Sequence, residues 1–413
     1  MRILNFKNRK KIIAWSFYDF ANQPFATIII TFLYSSFFVN VIAPDSSSGT
    51  LMWTNGIAIT AIIVSVLSPL LGSLADNRGL QKLFFIFFSC ICSLFCILLY
   101  FPVKGQYVLA LYFFVIANIA FELAQIFYNS YLFSLSSNKN RGSISGFAWG
   151  LGFVGGLLAL CFSFIFFDVS NEINIRKINI LVGCWLLFFS LPAFFVLKNN
   201  KKKKSISIER KNIFKNVFLT FKDIYRYRLV FNFLLARLFF NDGLVTIFAL
   251  GGIYAIGTLG FSFNEVLILG IVLNVCAAIG SFVFGYIEDN IGVHSVINIS
   301  LITLIFATII AFIAPETNIS KELFWLSASL IGIMIGPNQS CSRSFMVKIT
   351  PKDKLNEFFG FFALAGKATS FLGPLLFGFI TIQYSQQMAL LVVLFFFIVG
   401  MFLFNRINFN LLD

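Results

Sequence analysis

The residues of this chain that could do chemistry are charged and amide side chains placed inside long apolar runs. The first run contains the stretch WSFYDFANQPFAT, in which Asp19, Asn22 and Gln23 stand close together. Asp19, Gln23 and Thr27 follow at i, i+4 and i+8, so they form one stripe if the run is a helix. Pro24 interrupts the hydrogen-bond ladder at the same place and frees a backbone carbonyl that could line a wet cavity. The pattern predicts a polar surface on an otherwise apolar helix.

Later apolar runs carry similar side chains. The fourth run has Asn118, Glu122, Gln125 and Asn129 at i, i+4, i+7 and i+11, which places all four on one helix face. Carboxylates, cationic groups and amides are the side chains that bind ions, protons and polar solutes. Four further residues of this kind stand in the seventh and eleventh runs: Arg237, Asn241, Asp242 and Lys367.

The elements that must position these residues follow from the composition. Hydrophobic residues make up 59% of the 413 positions and charged residues 12%, against about 45–50% and about 25% in soluble domains. A helix needs about 20 mostly apolar residues to span a bilayer, and runs of this length recur along the whole chain. The composition therefore predicts an all-α polytopic membrane protein. We predict twelve transmembrane helices, at roughly 12–39, 50–72, 82–101, 107–135, 143–167, 178–197, 229–256, 265–287, 294–314, 322–345, 357–382 and 386–404.

The formal net charge of +14 comes mostly from segments that flank these spans, above all residues 1–11 and 198–228. Lys and Arg in short loops mark the cytoplasmic side of a membrane protein, and they also attract anionic lipid. We therefore predict cytoplasmic termini, a location in the cell membrane (the inner membrane of a bacterium) and no nucleic-acid partner.

Charged side chains inside spans are costly, at least about 2.5–3.5 kcal/mol each near the bilayer centre, so they usually face a partner or a cavity. Two interpretations stay open: the charges form structural ion pairs while the amides join helices, or all of them line a watery cavity. In the second, Arg237 or Lys367 holds an anionic group, and Asp19 or Glu122 binds a cation or cycles a proton. Our hypothesis is a cavity lined by Asp19, Asn22, Gln23, Glu122, Gln125, Asn129, Arg237, Asn241, Asp242 and Lys367. Amino acids carry groups of both signs and would suit this lining.

An internal repeat divides the chain into two parts. GSLADNRG at 72–79 recurs as GYIEDNIG at 285–292, an offset of 213, and both copies follow the second span of their half. An offset of 214 aligns a Gly-Phe pair of the fifth span with one of the eleventh. We predict six-helix bundles at 1–197 and 229–413, joined by a basic cytoplasmic linker at 198–228.

The loop motif GSLADNRG resembles the signature loop of the major facilitator superfamily. The stretches WSFYDFANQPFAT, FYNSYL, SGFAWGLGFVGG, NDGLVT and GPNQSCSRSFMVKITPKDKLNEFFGFFALAGKATSFLGPLLFG are similar to the vacuole-effluxer-like branch of that superfamily. This resemblance covers both halves. It implies two parallel six-helix pseudo-repeats, with a solute site near the midplane between them. Fungal members of the branch export amino acids from the vacuole.

The resemblance also implies a gate. In the superfamily this loop latches the two halves in one state of the transport cycle, so we assign gating roles to Gly72, Asp76, Arg78, Gly79 and, in the second copy, Asp289. The second copy lacks a basic residue between Asp289 and His294, and we expect its latch to be weaker. Arg343, near the inner end of the tenth span, is expected to extend its side chain to the membrane interface.

Several patterns argue against other functions. GLGFVG at 150–155 matches a nucleotide-binding fingerprint but lies in an apolar helix, which favours close helix packing. No ATP-binding G-x-x-x-x-G-K-[ST] motif is present, and the sole His, His294, excludes an H-E-x-x-H metal site. The seven Cys lie in or at the ends of spans, where we interpret them as small apolar residues.

We therefore predict a monomeric secondary active transporter without cofactor or metal, not an enzyme. Its partners are a small polar solute, a coupling ion or proton, and the lipid bilayer. The alternatives are a membrane-embedded enzyme, a channel, and a carrier for a sugar, a nucleoside or another metabolite.

Overall fold

The computed structural model describes residues 8–168, 171–199, 217, 220, 222 and 226–407. Most of the predicted linker 198–228 lies outside the described residues. Within them, every regular element is helical. The first half contains these α-helices: α1 Arg9–Pro24, α2 Leu33–Phe37, α3 Ser46–Arg78, α4 Gln81–Leu98, α5 Tyr107–Ser130, α6 Leu132–Leu135, α7 Arg141–Phe166 and α8 Glu172–Val196. The second half contains α9 Arg228–Leu259, α10 Phe263–Ile291, α11 Val293–Ile313, α12 Ser320–Ile349, α13 Leu355–Lys367, α14 Leu372–Gln383 and α15 Gln386–Asn405.

The helices confirm the predicted fold class. In the described part of the chain, 11 helices are long and apolar enough to cross a membrane, counting Arg9–Ile42 and Leu355–Gln383 each as one. The tenth predicted span coincides with α12, which is 30 residues long. Its second half carries the polar sequence PNQSCSRS, which makes it less apolar than the other spans. All twelve predicted spans thus coincide with helices.

The first span changes its helix type at Pro24, where the interruption is predicted. The α-helix gives way to a π-helix, Phe25–Phe32, because Pro24 cannot donate to the carbonyl of Phe20. That carbonyl instead accepts a hydrogen bond from the indole N–H of Trp185 at 3.3 Å. A side chain of α8 thus satisfies the freed carbonyl, and the wet cavity stays a prediction.

The eleventh span is broken, a feature the hydropathy pattern does not predict. Helix α13 ends at Lys367 and α14 begins at Leu372. Pro374 explains the break, because its ring would clash with the carbonyl of Ser370 in a continuous helix. The Ser370 amide bonds to the Lys367 carbonyl at 3.3 Å, a tight turn instead of an α-helical one.

The described residues form two compact units. The first contains those of Met1–Leu135, Leu151–Phe214 and Asp353–Ala363, and the second contains those of Ser136–Gly150, Lys215–Lys352 and Leu364–Asp413. Each unit therefore includes a short segment from the other half of the sequence. The predicted boundary between two bundles, in the linker 198–228, stays a prediction.

Candidate functional site

In the first unit, the polar stripe of α1 lies against the glycine-rich helix α7. A Cβ atom on Gly152 would lie 3.4 Å from the Cβ of Asp19, and one on Gly156 would lie 2.7 Å from the Thr27 hydroxyl and 3.1 Å from Gln23 Cγ. Asp19 and Thr27 are buried, and Gln23 is half-buried. Within the run GLGFVG, a Cβ atom on Gly155 would lie 2.9 Å from Phe20 Cα, so this run packs closely on α1, as predicted from the sequence.

Aromatic residues hold α1 in this position. Trp15 stacks on Tyr128 of α5 with ring centroids 4.8 Å apart, and its indole N–H donates to the Tyr128 carbonyl at 3.0 Å. The hydroxyls of Tyr18 and Ser89, on α4, are hydrogen-bonded at 2.8 Å. Bulky side chains thus cover one side of α1, and this fixes the direction in which its polar stripe points.

Two buried amide side chains of the first unit each have one polar atom without a hydrogen bond. Asn22 Nδ2 and Asn118 Oδ1 are both buried and have no partner. An unsatisfied buried polar group costs about 1–3 kcal/mol, so each of these needs an explanation such as a bound ligand. The other predicted residues of α5, Glu122, Gln125 and Asn129, are half-buried. None of the predicted cavity residues in this unit is exposed.

In the second unit, a chain of hydrogen bonds connects α9, α12 and α13. Arg237 Nη2 donates to Gln339 Oε1 at 3.5 Å, and Gln339 Nε2 donates to Asn241 Oδ1 at 3.3 Å. Asn241 Nδ2 donates to the Gly366 carbonyl at 3.2 Å. Arg237 is only 6% exposed. The structure thus joins two predicted residues through Gln339, which the sequence analysis missed although it is an amide inside an apolar span.

The break after α13 makes one of these hydrogen bonds possible. Since the Ser370 amide bonds to Lys367 instead, the carbonyl of Gly366 is available to Asn241. A Cβ atom on Gly366 would lie 2.9 Å from Arg237 Nη1, so the guanidinium rests against the bare backbone of α13. Lys367 is half-buried and ends α13, and Asp242 is buried on α9.

Asp76, a predicted gating residue, caps the first turn of α13 within the first unit. Its carboxylate accepts hydrogen bonds from the backbone amides of Asn356 at 3.2 Å and Glu357 at 2.8 Å, and from Asn356 Nδ2 at 2.7 Å. Helix N-termini carry free N–H groups and a partial positive charge, so a carboxylate there is stabilising. A Cβ atom on Gly72 would lie 2.2 Å from the Asn356 carbonyl, which is why only glycine fits at this approach.

Two polar side chains of the first unit hold Asn356 in place. Gln81 Nε2 donates to the Ser130 hydroxyl at 2.7 Å, and Ser130 donates to Asn356 Oδ1 at 2.7 Å. All three residues are buried. Ser130 and Asn356 lie in stretches that carry the family resemblance, but the sequence analysis assigns them no role, because their pairing joins positions 226 apart.

Asp289 makes the corresponding contact in the second unit. It accepts hydrogen bonds from the amides of Gly142 at 2.8 Å and Ser143 at 3.0 Å, and a short one from the Ser143 hydroxyl. These residues lie in the first turn of α7. At least three hydrogen bonds hold the second contact, as many as those described for the first, so their number gives no support to the expectation of a weaker latch.

The other two gating residues lie at the end of α3. Gly79 has φ +69° and its amide donates to the Ala75 carbonyl at 2.8 Å, the left-handed helix end that favours glycine. Arg78 is exposed. Gly79 therefore ends the helix that presents Asp76 to α13.

Arg343 corrects one expectation. Its side chain is 2% exposed and donates to the Ser145 hydroxyl at 3.0 Å and the Ser145 carbonyl at 2.8 Å. The guanidinium also lies 5.7 Å from the ring centre of Trp149. The expectation that it extends to the membrane interface is wrong, because α7 supplies its partners inside the protein.

The fold is that of the major facilitator superfamily of transporters. A bacterial homologue of the iron transporter ferroportin, in its outward-facing state, matches with a TM-score of 0.76, covering 98% of this chain and 99% of that chain at 12% identity. The proton:xylose symporter XylE matches with a TM-score of 0.74, covering 97% of this chain and 95% of that chain at 13% identity. At such identities the similarity establishes the fold.

The family follows from the sequence comparison. Residues 37–410 match the family described as "Vacuole effluxer Atg22 like", and the chain belongs to this family. A relative from Bacillus subtilis (strain 168), described as an uncharacterized MFS-type transporter, YxiO, is 29% identical over 88% of this chain and 86% of its own length. Autophagy-related protein 22 of Vanderwaltozyma polyspora is 22% identical over 91% of this chain and 86% of its own length. The protein is thus a multi-pass membrane transporter for a small molecule, and its family and fold are not those of enzymes.

Proposed function

We propose that this protein is a secondary active transporter that moves a small polar solute, such as an amino acid, by alternating access. The single observation that carries the proposal is the buried cluster of Arg237, Asn241 and Gln339 beside the break after α13. A guanidinium inside a membrane protein needs an anionic or strongly polar partner. Its planar fork matches a carboxylate with two parallel hydrogen bonds. We therefore assign the carboxylate of the solute to Arg237, with Lys367 as a second cation.

The acidic residues of the first unit complement this role. Asp19 and Glu122 lie on helices whose neighbouring amides, at Asn22 and Asn118, have unsatisfied polar atoms. A carboxylate flanked by such groups would bind an ammonium group or a coupling ion, or would exchange a proton. We assign these residues, with Gln23, Gln125 and Asn129, to the solute and coupling site.

We assign gating to the two aspartate contacts. Asp76 and Asp289 each hold the first turn of a helix that is distant in sequence, and each contact depends on a few hydrogen bonds at a helix N-terminus. Such contacts break without unfolding either helix. We propose that they open and re-form during each transport cycle.

The charge distribution supports the proposed orientation. The N-terminal tail and the segment 198–228 carry most of the excess positive charge, so we propose cytoplasmic termini in the cell membrane. We propose that the transporter acts as a monomer.

Reconstitution tests the proposed function. Purified protein in proteoliposomes would be assayed for counterflow of individual radiolabelled L-amino acids, and then of sugars and nucleosides. We expect one class to be carried, and we expect Arg237→Ala and Lys367→Ala to reduce its transport at least tenfold with normal membrane insertion. The matched control is Arg406→Ala, which removes an exposed Arg that lies 4.4 Å from the Phe402 ring. Full transport by both site variants would contradict the assignment, and covalent turnover without vectorial movement would favour an enzyme.

A further inference from the structure

The break between α13 and α14 lies beside a carboxylate that has no hydrogen bond. Asp242 is 0% exposed, and both of its carboxylate oxygens are buried without a partner. The Thr369 hydroxyl, within the break, approaches this carboxylate, but it also has no hydrogen bond of normal length and angle. Three oxygen atoms thus stand together unsatisfied, and in most proteins such buried groups have partners.

The helix break is held beside Asp242. The carbonyls at the end of α13 already have partners: Gly366 accepts from Asn241, and Lys367 accepts from the amide and the hydroxyl of Ser370. Gly373, early in α14, packs so closely on α9 that a Cβ atom there would lie 3.1 Å from the Asp242 carbonyl. The start of α14 is therefore held against Asp242 and keeps the break beside it.

The charged groups around Asp242 are few. On α9 the nearest is Arg237, five residues earlier and about 7.5 Å away along the axis. Its guanidinium lies against Gln339 and Gly366, and its positive charge also attracts the Asp242 carboxylate. On α13 the nearest charged residue is Lys367. Helices α14 and α15 contain no charged residue, and those of α10 and α12 lie near the helix ends, at Glu265, Glu288, Asp289, Lys321, Glu322, Arg343 and Lys348.

We propose that the Asp242 carboxylate and the Thr369 hydroxyl form a binding site for a monovalent cation, of which sodium is the best fit. Carboxylate and hydroxyl oxygens are ligands of hard cations. Discontinuous helices hold the coupling ion in other transporters. The site stands on this geometry alone, and its role as the coupling-ion site rests on the proposed transport function.

The number of charges selects a monovalent ion. The site has a single carboxylate, which the positive charge of Arg237 also attracts, so its charge does not suffice for a divalent ion. A cation can contact both carboxylate oxygens and the Thr369 hydroxyl oxygen together. A proton on Asp242 would instead let the carboxyl group and the hydroxyl bond to each other without a cation, and a response to pH alone identifies that case. Ala368 is exposed, and Thr369 and Ser370 are half-buried, so the break also offers an entry path.

A binding experiment without any solute tests the site. The unfolding temperature of the purified protein would be measured in NaCl and in choline chloride at equal ionic strength, with KCl and MgCl2 as further comparisons. A ligand that binds the folded state raises this temperature in a concentration-dependent manner. We expect a saturable rise with sodium, its loss in Asp242→Asn, and an apparent sodium affinity about tenfold weaker in Thr369→Val, which lacks one ligand.

The control variant is Thr381→Val. Thr381 also has a buried hydroxyl without a hydrogen bond and lies on α14, away from the break, so this variant should keep the full response to sodium. If Asp242→Asn fails to fold, the comparison of the sodium response of Thr369→Val with that of Thr381→Val still tests the site. Equal unfolding temperatures in sodium and choline, a response only to pH, or an undiminished sodium response in Thr369→Val would each overturn the proposal. None of these results depends on transport, so failure here leaves the proposed function to its own test.

Discussion

Asp76 and Asp289 make equivalent contacts in the two compact units. Each accepts hydrogen bonds from two consecutive backbone amides, Asp76 from Asn356 and Glu357, and Asp289 from Gly142 and Ser143. The aspartates are 213 positions apart and their partners 214, the two offsets of the internal repeat. The repeat thus extends beyond the loop motif to the helix ends that the loops contact.

Neutralising either aspartate should loosen its own contact. Asn in place of Asp removes the charge at the helix N-terminus and weakens the hydrogen bonds, a loss of about 1–3 kcal/mol. Serines at equivalent positions lie beneath the contacts, Ser68 in the first unit and Ser281 in the second, both 0% exposed. The experiment uses a variant without native Cys that carries either S68C or S281C. Asp76→Asn should make maleimide labelling of S68C about tenfold or more faster. Asp289→Asn should do the same for S281C.

This experiment has two kinds of control. The first combines each aspartate variant with the new Cys of the other unit, and the second removes a nearby carboxylate. Asp353 is exposed and precedes α13, so Asp353→Asn removes a carboxylate from the same region without touching the Asp76 contact. It should leave labelling at S68C unchanged. Unaltered labelling in Asp76→Asn would mean that the contact does not control access to the interior of the first unit.

Replacing Gly72 by Ala should destabilise the first unit. The new Cβ atom would lie 2.2 Å from the Asn356 carbonyl and 2.9 Å from Glu357 Cα, so α3 and α13 would have to separate. Overpacking of this kind typically costs about 1–3 kcal/mol. Thermal unfolding in detergent should show a lower midpoint for Gly72→Ala.

Gly378 on α14 has nothing within 4 Å of the position that a Cβ atom would occupy, so Gly378→Ala should be neutral or stabilising by up to about 1 kcal/mol. Equal effects of the two variants would contradict the close approach.

Gln81 and Ser130 should be energetically coupled through their hydrogen bond. Removing the Ser130 hydroxyl leaves both neighbouring amides with an unsatisfied group, at about 1–3 kcal/mol. In a double-mutant cycle, Gln81→Leu combined with Ser130→Ala should cost less than the sum of the single variants, with a coupling of about 0.5–3 kcal/mol. Unfolding in denaturant gives the free energy of unfolding of the unmodified protein, the two single variants and the double variant. Additive effects would show that the hydrogen bond between these side chains contributes nothing to stability.

Much of the fold could be predicted from the sequence, because the membrane requires long apolar runs and helical backbone. The polar residues of the spans could be found for the same reason, since a charge in an apolar run is conspicuous. Helical spacing placed Asn118, Glu122, Gln125 and Asn129 on one face, and all four lie on the single helix α5. The break at residues 368–371 had a visible signal in Pro374, which a hydropathy pattern does not register.

The partners of these residues could not be predicted. A pattern along one helix says which residues share a face and says nothing about which distant helix that face meets. Gln339 bonds to a residue 98 positions away, and Arg343 to one 198 positions away. The snorkelling expectation for Arg343 failed for this reason, since position along a span gives depth in the membrane but no neighbours.

Arg343 should not tolerate replacement by Lys. Its guanidinium donates to both the hydroxyl and the carbonyl of Ser145 and lies over the ring of Trp149, and a Lys ammonium cannot reproduce this planar, two-pronged geometry. The charge would remain buried with fewer hydrogen bonds, which should lower the free energy of unfolding by about 1–3 kcal/mol. Arg406→Lys, at an exposed Arg near the end of α15, should change it by no more than about 0.5 kcal/mol. Denaturant unfolding in detergent compares the two directly, and an Arg343→Lys variant as stable as Arg406→Lys would show that the Ser145 hydrogen bonds are dispensable.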